Sequence, residues 1–181
     1  MVFLAGASLL AQSVAGDFEP RYSAGGELAL PADYREWVFL SSGLGMTYEP
    51  PAARDGDNSP AFTNVFVNPA AYRSFLAKGV WPDKTMLVLE VRASASKGSI
   101  NQGGSYQGGV LAIEAEVKDR GKFPGNGWAF FAFGTSNSGS MLPRGRDCYS
   151  CHRDHGAVDN TFVQFYPVLL GIAKQKGTVR P

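Results

Sequence analysis

The chain has 181 residues, of which 44% are hydrophobic and 18% charged, with a formal net charge of +1. That length suits one domain with a sizeable core, and the apolar share excludes a disordered polar chain. Acids and bases are interspersed without a polybasic face, so nucleic acid is not an expected partner.

The chain opens "MVFLAGASLLAQSVAGDFEP". Its run from Val2 to Ala11 is apolar but too short to cross a bilayer. Small residues at Ser13 and Ala15, followed by an abrupt polar change, read as a signal peptide over residues 1–15. The remaining domain, 16–181, then carries no membrane span, and export to the periplasm follows. No Lys or Arg precedes the apolar run, and an ordinary buried helix is the alternative reading.

Next, "LPADYREWVFLSSG" predicts a short helix with Pro31 in its first turn and Tyr34, Trp37, Val38 and Phe39 on its apolar face. "LGMTYEPPAARDGDNSPA" is a loop, and "FTNVFV" is a strand. Asn68 and Pro69 open a helix, "PAAYRSFLAKG", which Gly79 closes. The turn "WPDKT" leads into the strand "MLVLEVR", and the glycine-rich "KGSINQGGSYQGG" into "VLAIEAEVKD". Alternation puts Val110, Ala112, Glu114 and Glu116 on one face of that strand and Leu111, Ile113, Ala115 and Val117 on the other. "GWAFFAFG" is a fourth strand. "DNTFVQFYPVLLGIAKQKG" is helical, with Pro167 either kinking or dividing it. The expected fold is α+β: an antiparallel β-sheet flanked by short helices, with a C-terminal c-type haem-binding segment docked on it.

That segment is "CYSCHRDHG", which holds both cysteines and both histidines of the chain. Three chemistries compete for it. Two thiols three residues apart reach the two vinyl groups of one haem, and a histidine directly after the second lies beneath the iron. Zinc would need four ligands from groups too crowded for a tetrahedron. A disulfide or redox dithiol is the remaining use of two cysteines in an exported chain. The adjacency of Cys151 and His152 favours haem c, attached through Cys148 and Cys151, with His152 as the iron ligand. His155 cannot reach the opposite side of the same haem and is expected at the surface. No methionine follows His152, since Met46, Met86 and Met141 all precede it. The iron is therefore expected to be five-coordinate, with one open face.

"DYREWVFLSSGLG", "FVNPAAY", "IEAEVKD", "WAFFAFG", "CYSCH" and "FVQFYPVLL" together resemble the cytochrome P460 family, which includes the β-sheet cytochromes c′. The resemblance runs from about Gly26 to Gly177 and is closest in character to members lacking a lysine–haem cross-link. It implies an α+β fold, a homodimer and one haem c held against the sheet. Cys148, Cys151 and His152 match the attachment and proximal positions. The catalytic distal carboxylate of hydroxylamine-oxidising members falls on Glu114, the cross-linking lysine on Leu89, and the distal arginine on Thr63. Lys84 is the nearest alternative amine. Phenylalanines that cap the iron in some members have candidates here in Phe62, Phe66, Phe130 and Phe131.

The reading is of a periplasmic monohaem cytochrome whose open iron binds nitric oxide or a related small nitrogen species. Two alternatives stand beside it. One is an oxidoreductase acting on hydroxylamine, nitric oxide or peroxide, with Glu114 accepting the proton. The other is a simple electron carrier serving a redox partner protein.

Overall fold

The computed structural model describes residues 18–47 and 60–181. The expected signal peptide and part of the loop after Leu44 lie outside the described residues.

The described strands are β1 (Leu28–Ala29), β2 (Val38–Leu44), β3 (Phe62–Val67), β4 (Met86–Ala95), β5 (Tyr106–Lys118), β6 (Trp128–Gly134) and β7 (Ser138–Met141). They form one sheet in the order β1-β7-β6-β5-β4-β3-β2, every pair antiparallel. Three helices accompany it: α1 (Pro69–Lys78), α2 (Asp147–His155) and α3 (Pro167–Lys176). The α+β expectation holds, and the four strands read from the sequence are β3, β4, β5 and β6. Among the described residues no helix is long and apolar enough to cross a membrane.

The sheet is buried on both faces. On one, Met86, Val88, Ile113, Ala115, Val117, Ala129 and Phe131 pack under the N-terminal residues Leu28, Tyr34 and Trp37. On the other, Val67, Leu87 and Trp128 pack under Phe75 of α1 and Leu169 of α3. Phe75 and Trp81 lie 4.3 Å apart there, and burying a ring of that size contributes roughly 2–3 kcal/mol.

The helix predicted over "LPADYREWVFLSSG" is not formed. Tyr34–Glu36 make a short 3-10 turn, Trp37 is extended, and the chain becomes edge strand β2. Tertiary pairing with β3 decides here, because Trp37, Val38, Phe39 and Leu40 are as well suited to a pleated edge as to a helix. The 30–37 segment leaves β1 at one sheet edge and delivers the chain to β2 at the other.

Other elements follow the sequence closely. Asn68 stands at the start of α1 and Gly79 closes it at φ 74. Asn68 is not a side-chain cap; its Oδ1 accepts from Met86 N at 2.9 Å, tying α1 to β4. Pro167 divides its segment, starting α3 after a 3-10 turn at Val163–Phe165. In β5 the alternation breaks at Leu111, because Arg92 pairs with Val110 and Val91 with Ala112. That bulge leaves Leu111 exposed and turns Val110 towards Ile113.

Glu90 of β4 is 2% exposed and pins the 3-10 turn to the sheet. It accepts from Tyr34 Oη, from Arg35 Nη2 at 2.5 Å and from Arg92 Nε at 2.5 Å. Burial opposes its ionisation, but the hydrogen bonds from Arg92, Tyr34 and Arg35 outweigh it and hold the carboxyl below its ordinary range. A depressed folded value gives stability that is present above the unfolded value and is lost as pH falls through the folded one. Glu90→Gln is expected to lose about 2 kcal/mol near neutral pH, allowing for the exposure of Arg35. The deficit should shrink once the pH drops below roughly 4.3, which chemical denaturation at several pH values measures.

Candidate functional site

Helix α2 carries the cysteine segment. Cys148, Cys151 and His152 stand at i, i+3 and i+4, which brings them to one side of the helix. Tyr149, between the cysteines, anchors α2 to β6. Its ring meets Phe130 edge-on at 4.7 Å, and its hydroxyl donates to Leu142 O at 3.3 Å. Among the described residues neither cysteine forms a disulfide, and no group of three or more His, Cys, Asp or Glu side chains converges as a metal site. His155, at the end of α2, is exposed as expected.

The His152 ring is wedged between Phe130 at 4.6 Å and Phe162 at 4.3 Å, with 17% of the side chain exposed. Its Nδ1 lies 2.9 Å from the Asn160 carbonyl and 3.1 Å from Glu116 Oε2. A carbonyl only accepts, so Nδ1 carries the proton and Nε2 presents a lone pair. Burial disfavours the charged ring, but the Glu116 carboxylate and the Asn160 carbonyl outweigh it, so His152 titrates above the ordinary histidine range.

The Asn160 carbonyl is held by a built loop. Gly156 passes so close to the chain that an added Cβ would meet Asn160 C at 2.7 Å and Thr161 N at 2.8 Å. Asp159 and Asn160 then take positive φ, 48° and 63°, a conformation that Asp and Asn tolerate best after glycine. Lys118, 1% exposed at the end of β5, donates to Trp81 O at 2.8 Å and pairs with Asp159. Trp81 Nε1 donates to Thr161 Oγ1 at 2.8 Å, fixing the loop's other end.

The sheet register gathers most of the remaining candidates. Leu89 pairs with Val65 on one side and Glu114 on the other, and Glu114 pairs with Ala132. These four make one row across the face that also carries Leu87, Glu116 and Phe130 in the adjacent row. Thr63 lies two residues beyond Val65 on the same face. Leu89, Val65, Ala132 and Thr63 are half-buried and Glu114 is exposed. Met46 joins them, since a Cβ on Gly43, the cross-strand partner of Thr63, would collide with its Sδ.

The aromatic candidates divide. Only Phe130 of the four lies on this face, and it touches His152. Phe131 is in the opposite core with Phe123, and Phe66 packs on Tyr34 and Phe39 there. Phe62 alternates with Thr63 and shares the Phe66 face. Lys84, the alternative amine, is drawn to Asp119 at 2.8 Å.

Sequence reasoning missed Phe162, Asn160 and the Lys118–Asp159 pair, and assigned Glu116 no role beyond its place on the Glu114 face. Glu116 is 8% exposed. Its signal was the two-residue offset from Glu114, which fixes a shared face. For Asn160 the signal was the Asp159-Asn160 dipeptide, a frequent site of positive φ.

The donor set suits a haem: two thiols one helical turn apart, an imidazole with a free Nε2, and a half-apolar sheet face beside them. The sequence model of the cytochrome P460 family matches residues 31–163, which include α2 and the Asn160 loop. A search of the curated proteins gave no match.

Lys118→Met should cost about 2 kcal/mol in urea denaturation, because it leaves Asp159 without its cation while Asp159 keeps partial access to water. Faster amide exchange at Thr161 should accompany it.

Proposed function

The chain belongs to the cytochrome P460 family and is a c-type haem cytochrome, and from that premise we propose that it is a periplasmic gas-binding protein. Cys148 and Cys151 would hold one haem through thioether links, and His152 would offer Nε2 to its iron. The haem so held would supply a binding site for nitric oxide or a related small nitrogen species. One observation carries this reading. The Asn160 carbonyl accepts from Nδ1 of the histidine that directly follows the second cysteine, which leaves the Nε2 lone pair available to a metal. Leu89, half-buried in the row with Glu114, offers an alkyl group where the cross-linking members have an amine, which favours the gas binder over the hydroxylamine oxidase.

A second reading has its own support. The Met46 thioether lies at Gly43 and Thr63, on the face that bears Leu89. If it ligated the iron, the protein would be a six-coordinate electron carrier. A methionine-to-iron charge-transfer band in the ferric protein that disappears in Met46→Ala would establish that reading and displace the first.

Three experiments test the first reading. Haem should stay with the polypeptide through acid–acetone extraction and be released from the Cys148→Ala/Cys151→Ala variant. His152→Ala should change the ferrous spectrum while His155→Ala leaves it unaltered, and the ferrous protein should bind nitric oxide and carbon monoxide without losing a methionine ligand.

Intact mass should equal the processed chain plus one haem, with peptide maps showing only the two thioether links. Hydroxylamine turnover should be absent or weak. A haem-linked peptide containing any lysine would favour the oxidoreductase, with Glu114 taking up the proton.

A further inference from the structure

Glu116 is the residue of the "IEAEVKD" strand whose chemistry the packing does not account for. It pairs in register with Leu87 and Phe130, both buried and apolar. An aliphatic side chain would fill such a position without desolvating a charge, which costs several kcal/mol per ion. Among the described residues its Oε2 is buried and makes no hydrogen bond, although it lies 3.1 Å from His152 Nδ1. The Nδ1 proton is aimed instead at the Asn160 carbonyl. The nearest buried cation on the same strand face, Lys118, is already committed to Asp159 and the Trp81 carbonyl. What faces this carboxylate is the imidazole.

We propose that Glu116 is a positioning residue that acts through His152. Its carboxylate, held against the Nδ1 side of the ring, raises the electron density that Nε2 offers to iron and so favours ferric over ferrous haem. A negative charge at this distance in a partly buried site interacts far more strongly than in water. Partners placed behind a metal-bound histidine raise its basicity and tune the metal. The Asn160 carbonyl fixes the tautomer and the orientation, and Glu116 adds the charge. The two acceptors thus divide one task.

The proposal rests on His152 being the axial ligand, so the experiment separates the two. Resonance Raman spectra of the ferrous holoprotein should show an iron–histidine stretch that is absent from His152→Ala. If the unaltered protein shows no such band although its ferrous haem is five-coordinate, the ligand assignment fails, whatever Glu116 does. Given that band, Glu116→Gln, which keeps the size and removes the charge, should lower its frequency. It should also move the ferric/ferrous ratio at fixed poise towards ferrous by on the order of tenfold, which is about 59 mV for one electron. Glu116→Asp retains the charge and should fall between the two in both readouts. A Gln variant with unaltered frequency and midpoint potential overturns the proposal, and so do Gln and Asp variants displaced equally. If Glu116→Gln takes up no haem, the Asp variant is read alone: a lowered frequency with a shift towards ferrous supports the proposal, and values equal to those of the unaltered protein overturn it. Failure of both variants to take up haem assigns Glu116 to folding and also overturns the proposal.

Discussion

The helical side of this molecule depends on one hydrogen bond, from His152 Nδ1 to the Asn160 carbonyl at 2.9 Å. A neutral imidazole has one donor and one acceptor, so committing the donor determines what the other nitrogen can do. The bond also joins α2 to the loop that follows it. That loop adopts two consecutive positive-φ residues, which cost conformational energy unless the surroundings hold them. Lys118, Trp81 and Trp128 hold them, through Asp159 and Thr161. The core of the sheet thereby sets the direction of one backbone carbonyl, and that carbonyl sets the ring.

The sheet contributes by dividing its residues between two tasks. Odd-numbered residues of β3 and β4 face α1 and α3, and their even-numbered neighbours face the N-terminal segment. A single strand can therefore carry Leu87 and Leu89 towards the site while Met86, Val88 and Glu90 build the opposite core. In β5, beyond the Leu111 bulge, the same alternation aims Glu114 and Glu116 together at the helical side. One is exposed and the other is buried against His152, although their sequence settings are nearly the same. Two carboxylates on one strand face can thus meet quite different surroundings 7 Å apart or so.

Much of this was legible in the sequence, for identifiable reasons. "CYSCH" announces its chemistry because the spacing is imposed by a rigid cofactor rather than by packing. Asn68-Pro69 and Gly79 bound α1 because caps are local signals. "FTNVFV" and "MLVLEVR" read as strands for the same reason, with their β-branched and aliphatic content. What was not legible depends on distant partners. "YREWVFL" suits a helix or an edge strand, and only the proximity of β3 decides between them. The burial of Glu116, the pairing of Lys118 with Asp159, and the stacking of Phe162 on His152 each join residues more than nine positions apart, and no local pattern encodes them.

The strand order has a mechanical corollary. β1 and β2 are consecutive in the chain yet occupy opposite edges of the sheet, joined only by residues 30–37. Laid flat, the six gaps between the described strands would span about 29 Å at roughly 4.8 Å each. The connecting segment, partly coiled in its 3-10 turn, reaches only about 26 Å at ordinary rises per residue. The sheet must therefore be curled towards its own N-terminal segment, like a bow held by its string. Tyr34 and Arg35, fastened to Glu90 near the middle of the span, keep that string from sliding.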